Sequence, residues 1–140
     1  MIRVVATDLD GTLVGADGTI SPANLAAVRA AADAGVRLVV ATGRPLRWLD
    51  VLDSLAGAHP LAIVSNGAAV VDLSRGEVVA RRPLARYAVV QIAEAVRAAV
   101  PGARFALERG DLFGCEHGWH GEHDGFPGRF DAPWEELVET

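Results

Sequence analysis

A chain of 140 residues, 51% of them apolar, holds one modest domain or a domain and part of another, with ample material for a core. A formal net charge of −5 and a pI near 5.3 leave no basic footprint for nucleic acid, and no Lys/Arg cluster suits an anionic membrane surface. The single cysteine, Cys115, excludes an internal disulfide, and "MIRVVATD" reaches an acid too early for a signal-peptide core, so the expectation is a soluble cytoplasmic protein.

In chain order, residues 2–8 read as a buried strand followed by a Gly-rich polar loop. "ISPANLAAVRAAADAG" predicts a helix with Ser21 as N-cap, Pro22 at its first position, Gly35 past its end, and an apolar stripe of Leu25, Val28 and Ala32. "VRLVVATG" predicts a second apolar strand, "PLRWLDVLDSLAG" a second helix and "LAIVSNGA" a third strand: two βαβ units and hence a parallel sheet. "AAVVDLSRGEVVARRPL" reads as a hairpin turning at Ser74 to Gly76. "ARYAVVQIAEAVRAAVPG" predicts a helix burying Val89, Ile92, Val96 and Val100, and "ARFALER" a strand after it. From about Gly110 the text turns loop-like and ends in the acidic stretch "APWEELVET".

The first strand ends in two aspartates one residue apart. Alternation along a strand points Asp8 and Asp10 to one side and Leu9 to the other. Two like charges at about 4 Å repel by about 1 kcal/mol in water and about 4 kcal/mol at an effective dielectric of 20, a cost that a divalent cation would offset. Open parallel α/β sheets bind ligands beyond the carboxyl ends of their strands. There the second strand presents Thr42, Gly43 and Arg44, and the third Ser65, Asn66 and Gly67. Gly11 and Thr12 follow the acids in a turn able to aim amides inward as an anion nest. The rim suits a phosphate and a metal.

"DLDGTLV" resembles the first motif of the haloacid dehalogenase (HAD) superfamily and "VVATGRP" its second, and "AIVSNGAAVVD" resembles the Cof-like phosphatase branch. The resemblance implies a partial doubly wound α/β core over residues 1–84 and the beginning of an inserted α+β cap over 85–140. It further implies a Mg²⁺-dependent phosphatase acting on a small phosphorylated metabolite. Asp8 would be the nucleophile and Asp10 the general acid and base, both beside the metal; Gly11, Thr12, Thr42 and Gly43 would hold phosphate, with Arg44 and Asn66 near the substrate. The chemistry agrees with the resemblance: an aspartyl-phosphate splits a hard displacement into two easier ones, and Mg²⁺ screens the charge of carboxylate and phosphate.

Each residue also has a bland reading. Thr42-Gly43 makes an ordinary strand-to-helix turn, Arg44 can pair at the surface, and Asn66-Gly67 suits a hairpin. "GCEHGWHGEHDG" offers Cys115, His117, His120 and His123 as zinc ligands, but Gly118, Gly121 and Gly125 deny them a rigid helix, and a solvated cap loop is expected there.

All 13 basic residues are arginine, so the lysine of the family's third motif has no counterpart, and the Gly-Asp acids of its fourth are not evident. The reading is therefore of an apparent N-terminal fragment that stops inside its cap, leaving Val4, Val5 and Ala6 on an open edge prone to self-association. Two alternatives stand beside it: a non-catalytic phosphate-binding remnant, and a compact capless phosphatase using Asp111 and Glu116. A receiver domain of a signalling pair would instead want an aspartate at the third strand's end and a later lysine.

Overall fold

The computed structural model describes residues 2–110, 112–120 and 128–139. The chain divides into two compact units, 1–83 and 84–140. In the first, five strands run β1 (Val4–Asp8), β2 (Arg37–Ala41), β3 (Leu61–Val64), β4 (Ala69–Asp72) and β5 (Glu77–Arg81), side by side in that order. β1, β2 and β3 are parallel; β4 and β5 return antiparallel as the expected hairpin.

Helix α1 (Pro22–Asp33) begins and ends as the sequence predicts. The Ser21 hydroxyl accepts from the Asn24 amide at 3.1 Å, and Pro22 opens the helix where its missing N–H costs nothing. At the far end Val36 N donates to Ala31 O and Gly35 N to Ala32 O, both at 2.9 Å, a Schellman closure that requires the φ of +76° adopted by Gly35. Val28 is buried, and Leu25 and Ala32 pack beside it.

The second crossover is not the expected α-helix but two 3₁₀ segments, Leu46–Trp48 and Asp50–Ala58. The cause is visible in the sequence: Leu46, Leu49, Leu52, Leu55 and Ala58 recur every third residue, the period of a 3₁₀ helix, and the last four of them are buried. An α-helix would fan that series around its surface. Successive crossovers in the strand order β1-β2-β3 place both on one face of the sheet, where α1 meets the Asp50–Ala58 segment. Leu38, Val40, Ala62, Val64 and Val71 point into this core, whereas Val39, Ala41, Leu61, Ile63 and Val70 on the other face are half-buried. β1 is an edge strand, so the expectation of burial fails for it: Val4 is 55% and Val5 43% exposed.

The second unit holds α2 (Arg86–Ala99), β6 (Ala106–Arg109), β7 (Leu112–Glu116), β8 (Arg129–Ala132) and the short α3 (Trp134–Leu137), with its sheet in the order β6-β7-β8. Residues expected to form a solvated loop after Gly110 are thus partly strand, and Cys115 and Glu116 are buried. Gly114 is required there, since a Cβ would stand 2.6 Å from Leu137 Cδ2 and 2.7 Å from Phe130 Cζ. The buried face of α2 also differs from expectation. Ala93 is buried, and Ile92, Val96 and Val100 are exposed. Arg97, one turn past Ala93, pairs with Glu116 and lies over the rings of Phe105 and Trp134 at 5.1 and 5.0 Å, which turns the Ala93–Arg97 row inward in place of the aliphatic one. No helix among the described residues is long and apolar enough to cross a membrane.

Leu52 is 1% exposed within the first unit's core. Leu52→Ala should lower unfolding stability by about 2–5 kcal/mol in urea titrations, whereas Val4→Ala on the open edge should cost under about 1 kcal/mol.

Candidate active site

The register across the parallel strands decides what can meet. Asp8 pairs with Ala41, and Ala41 with Ile63, so the loops after all three strands leave the sheet at one level. Leu9 is fully buried in the core while Asp8 and Asp10 on either side of it are exposed. Beyond Asp8 the chain turns sharply. Gly11, at φ +75°, donates its amide to Val14 O at 3.0 Å, and the amides of Thr12 and Val14 turn to Leu9 O at 3.4 and 2.8 Å. The amides of Gly11 and Thr12 thus close their own turn, because the chain must re-enter the core at once with Leu13 and Val14. Thr12 instead lines an apolar pocket of about 250 Å³ on the α1 side, with Val5, Thr7, Leu13, Val28 and Leu38 among its walls. Further along the loop, the amide and hydroxyl of Thr19 donate to Asp17 and hold its exposed carboxyl below the usual range.

The other positions converge. Arg44 donates from Nε to Asp10 Oδ2 at 3.0 Å and from a terminal nitrogen to Oδ1 at 2.5 Å, a two-pronged pairing that occupies both carboxylate oxygens. Asp10 is thereby paired, which eases the repulsion expected between the two acids. The Thr7 hydroxyl donates to the Asp8 main-chain carbonyl at 2.9 Å, but the Asp8 carboxylate has no hydrogen-bond or ion-pair partner among the described residues and is the open one of the two. Thr42 is 8% exposed; its Oγ1 accepts from the Arg44 amide at 3.0 Å, which leaves the hydroxyl proton to donate. Arg44 also reaches the Trp48 carbonyl at 3.3 Å.

The β2 and β3 loops are knitted by main-chain bonds, Ser65 N to Arg44 O at 2.9 Å and Asn66 N to Thr42 O at 3.3 Å. Ser65, Asn66 and Gly67 adopt φ of 48°, 54° and 97° in succession. Two non-glycine residues held left-handed cost about 1–3 kcal/mol each, and such strain persists where surrounding structure fixes it, often at a functional site. The sequence places Ser65 on the rim, but nothing in "VSNG" signals that this serine is left-handed. Gly43 is needed for the close approach of the loops: a Cβ there would stand 3.1 Å from Asn66 Oδ1.

Among the described residues no group of three or more His, Cys, Asp or Glu side chains stands together, so a cation at this rim has Asp8 and Asp10 to draw upon. Cys115, His117 and His120 form no such group, and His123 lies outside the described residues. Glu116, invoked for the compact alternative, is occupied within the second unit: it pairs with Arg97 and accepts from the Phe105 amide at 2.7 Å. Asp111 lies outside the described residues.

An open α/β sheet whose strand ends gather paired aspartates and a Thr-Gly-Arg turn defines a Rossmann-like core with an acidic strand-end site. Residues 5–124 match the haloacid dehalogenase-like hydrolase family, and the chain belongs to that family. It is 37% identical over 71 residues to the 5-amino-6-(5-phospho-D-ribitylamino)uracil phosphatase YcsE of Bacillus subtilis, a match covering 51% of this chain and 28% of that protein. It is 40% identical over 72 residues to an HMP-PP phosphatase of Yersinia pestis, covering 51% of this chain and 26% of the relative. A HAD-superfamily phosphatase from Bacteroides thetaiotaomicron superposes with a TM-score of 0.69 at 26% identity, covering 82% of this chain and 41% of its own. A HAD subclass IIB sugar phosphatase shares the fold, with a TM-score of 0.71 at 21% identity over 99% of this chain and 55% of its own. The chain thus spans well under two thirds of each of these proteins.

The Gly43–Asn66 contact has a direct consequence. Gly43→Ala should cost under about 1 kcal/mol, since the exposed Asn66 carboxamide can yield, and Asn66→Ala in the same chain should remove that cost, a coupling measurable in a double-mutant cycle of urea melts.

Proposed function

We propose that these residues are the nucleophile-bearing part of a Mg²⁺-dependent phosphatase that acts on a small phosphorylated metabolite through an aspartyl-phosphate. The observation that carries the reading is the difference between the two acids: Asp8 is open, and Asp10 is held by Arg44. An Asp8 oxygen attacks phosphorus, and the bond from phosphorus to the ester oxygen breaks. Asp10 gives a proton to the departing alkoxide, then takes one from the water that attacks the aspartyl-phosphate and frees inorganic phosphate. Both Asp10 oxygens accept from Arg44, so Arg44 has to release one of them before Asp10 can carry the proton. An arriving phosphate is an alternative acceptor for that guanidinium fork. The Thr42 hydroxyl and Gly43 amide are the proposed phosphate donors at the same level.

The donor set suits a hard, well-hydrated cation. It consists of oxygen only, with an unpartnered carboxylate on Asp8 and the main-chain carbonyl of Asp10 as the groups that would hold Mg²⁺. Such an ion supplies screening of carboxylate and phosphate charge and polarises the phosphoryl oxygens. The family's catalytic lysine has no counterpart among these 140 residues. Each such electrostatic group is worth about 10² to 10³ in rate, so slow turnover is expected from this chain alone. Residues 1–83 form the proposed core and 84–140 the proposed beginning of the cap. The non-catalytic alternative keeps phosphate binding and drops the covalent step.

Acetyl phosphate with Mg²⁺ should label Asp8 covalently, read by mass spectrometry of acid-quenched peptides. Asp8→Asn should abolish the label and lower any p-nitrophenyl phosphate hydrolysis by at least about 10³, with circular dichroism unchanged. Phosphate binding without label supports the non-catalytic alternative, and hydrolysis untouched by Asp8→Asn removes the reading altogether.

A further inference from the structure

The two edges of the first sheet differ in how they are protected. At one edge, β5 carries a charge at each end, Glu77 and Arg81, and its ladder with β4 is broken by a register shift at Val70/Val71; both features discourage a further strand. At the other edge, β1 has no lysine, no proline and no register shift, and its Val4 and Val5 are exposed. The Arg3 carbonyl accepts from the Arg37 amide at 2.9 Å, so alternation turns the main-chain groups of Arg3, Val5 and Thr7 toward β2 and those of Val4, Ala6 and Asp8 away from it. The Thr7 hydroxyl takes the Asp8 carbonyl at 2.9 Å, which leaves the amides and carbonyls of Val4 and Ala6 as the open set.

Side chains follow the same alternation. Val5 and Thr7 face α1, where with Ala27, Val28, Ala31 and Leu38 they wall the apolar pocket of about 250 Å³, and Val4, Ala6 and Asp8 face the other way. Arg3 and Asp8 are the charged residues of this edge and stand at its opposite ends. An antiparallel copy therefore brings unlike charges together, whereas a parallel copy sets like beside like. Residues directly opposite in an antiparallel pair point to the same face, so a two-fold axis through this edge has to pass at a residue and not between two. Of the two axes nearest the middle of the Arg3–Asp8 stretch, the one at Ala6 sets the Asp8 carboxylate against Val4. The one at Val5 sets Val5 on Val5, Val4 on Ala6 and Arg3 on Thr7, next to Asp8, and uses the open main-chain groups of Val4 and Ala6 on both sides of the axis.

We infer that β1 is a docking edge for a second copy of this chain: two first units join antiparallel through β1, about a two-fold axis at Val5, and their five-stranded sheets become one. The Val5 side chains meet on the apolar ground beside the α1 pocket, and the exposed Val4 of each copy packs on Ala6 of the other. Both β1 edges are consumed and the β5 edges are guarded, so assembly closes at the pair. The rims that carry Asp8 fall at opposite ends of the joined sheet and keep their own residues, so the inference is independent of the chemistry assigned to Asp8. An edge of this length is smaller than the roughly 20–30 residues a side of a standard interface, which sets the association in roughly the micromolar range.

Sedimentation equilibrium of the full chain from about 1 to about 200 μM tests it. The mass should rise from 14.7 kDa to twice that value and no further. Val5→Lys sets like charges face to face at the axis, and Ala6→Pro removes an outward N–H without touching the β2 ladder. Each should weaken association at least about tenfold with circular dichroism unchanged. Oxidative cross-linking reads the register without either variant. Val5→Cys should cross-link between chains, because its Cα atoms meet at about 4.5–5.5 Å, whereas Val4→Cys should not, its two copies lying beyond about 7 Å. Cys115 is buried and does not compete. A chain that stays monomeric over this range, a dimer that survives both Val5→Lys and Ala6→Pro, or cross-linking through Val4→Cys in preference to Val5→Cys overturns the inference. So does a mass that keeps climbing past the dimer, since the two-fold pairing is closed.

Discussion

Everything at the rim depends on one geometric constraint, the in-register pairing of three parallel strands that end together. Parallel ladders leave no freedom for one strand to stop short without stranding its neighbour's hydrogen bonds. Once Asp8 is level with Ala41 and Ile63, the loops carrying Asp10, Arg44 and Asn66 have to start side by side, each one strand spacing from the next. A slip of one residue in β1 would turn Leu9 out of the core and Asp8 into it, so burial of Leu9 enforces the exposure of both aspartates.

Charge is then settled locally. Two carboxylates one residue apart are tolerated because Arg44, arriving from the next strand, meets one of them with both arms of its guanidinium. The resulting asymmetry gives the acids different environments, one paired and one open. Separate environments for two nearby carboxylates are how a site divides nucleophilic from proton-transfer duty. The turn after β3 adds rigidity: Ser65 and Asn66 are held left-handed, and their amides bond to the main chain of Arg44 and Thr42. The β2 and β3 loops are therefore tied to each other by main-chain bonds.

The second unit is organised by a different interaction. Glu116 is buried, and it is satisfied by Arg97 and by the Phe105 amide, with Arg97 lying over two aromatic rings. A buried carboxylate with an arginine and an amide for partners is costly to break, since removal of one partner strands a charge. That requirement outranks the aliphatic stripe of α2 and leaves Ile92, Val96 and Val100 in contact with solvent.

The sequence by itself determined what local chemistry and short periods govern. The cap of α1 at Ser21, its closure at Gly35, the hairpin between Asp72 and Glu77, and the parallel order of the first three strands follow from capping, turn residues and alternation. The i+3 series of Leu46 to Ala58 is equally legible, although an apolar stripe of this length also fits the commoner α-helical period. Only the tertiary structure decided the rest. That Arg44 closes on Asp10, that the amides of Gly11 and Thr12 serve their own turn, and that Ser65 is left-handed are outcomes of where the core admits Leu9, Leu13 and Val14. The face α2 buries is set by Arg97 meeting Glu116, 19 residues away. These are non-local contacts, and a local reading of residue types cannot rank one partner against another before the chain has brought them together.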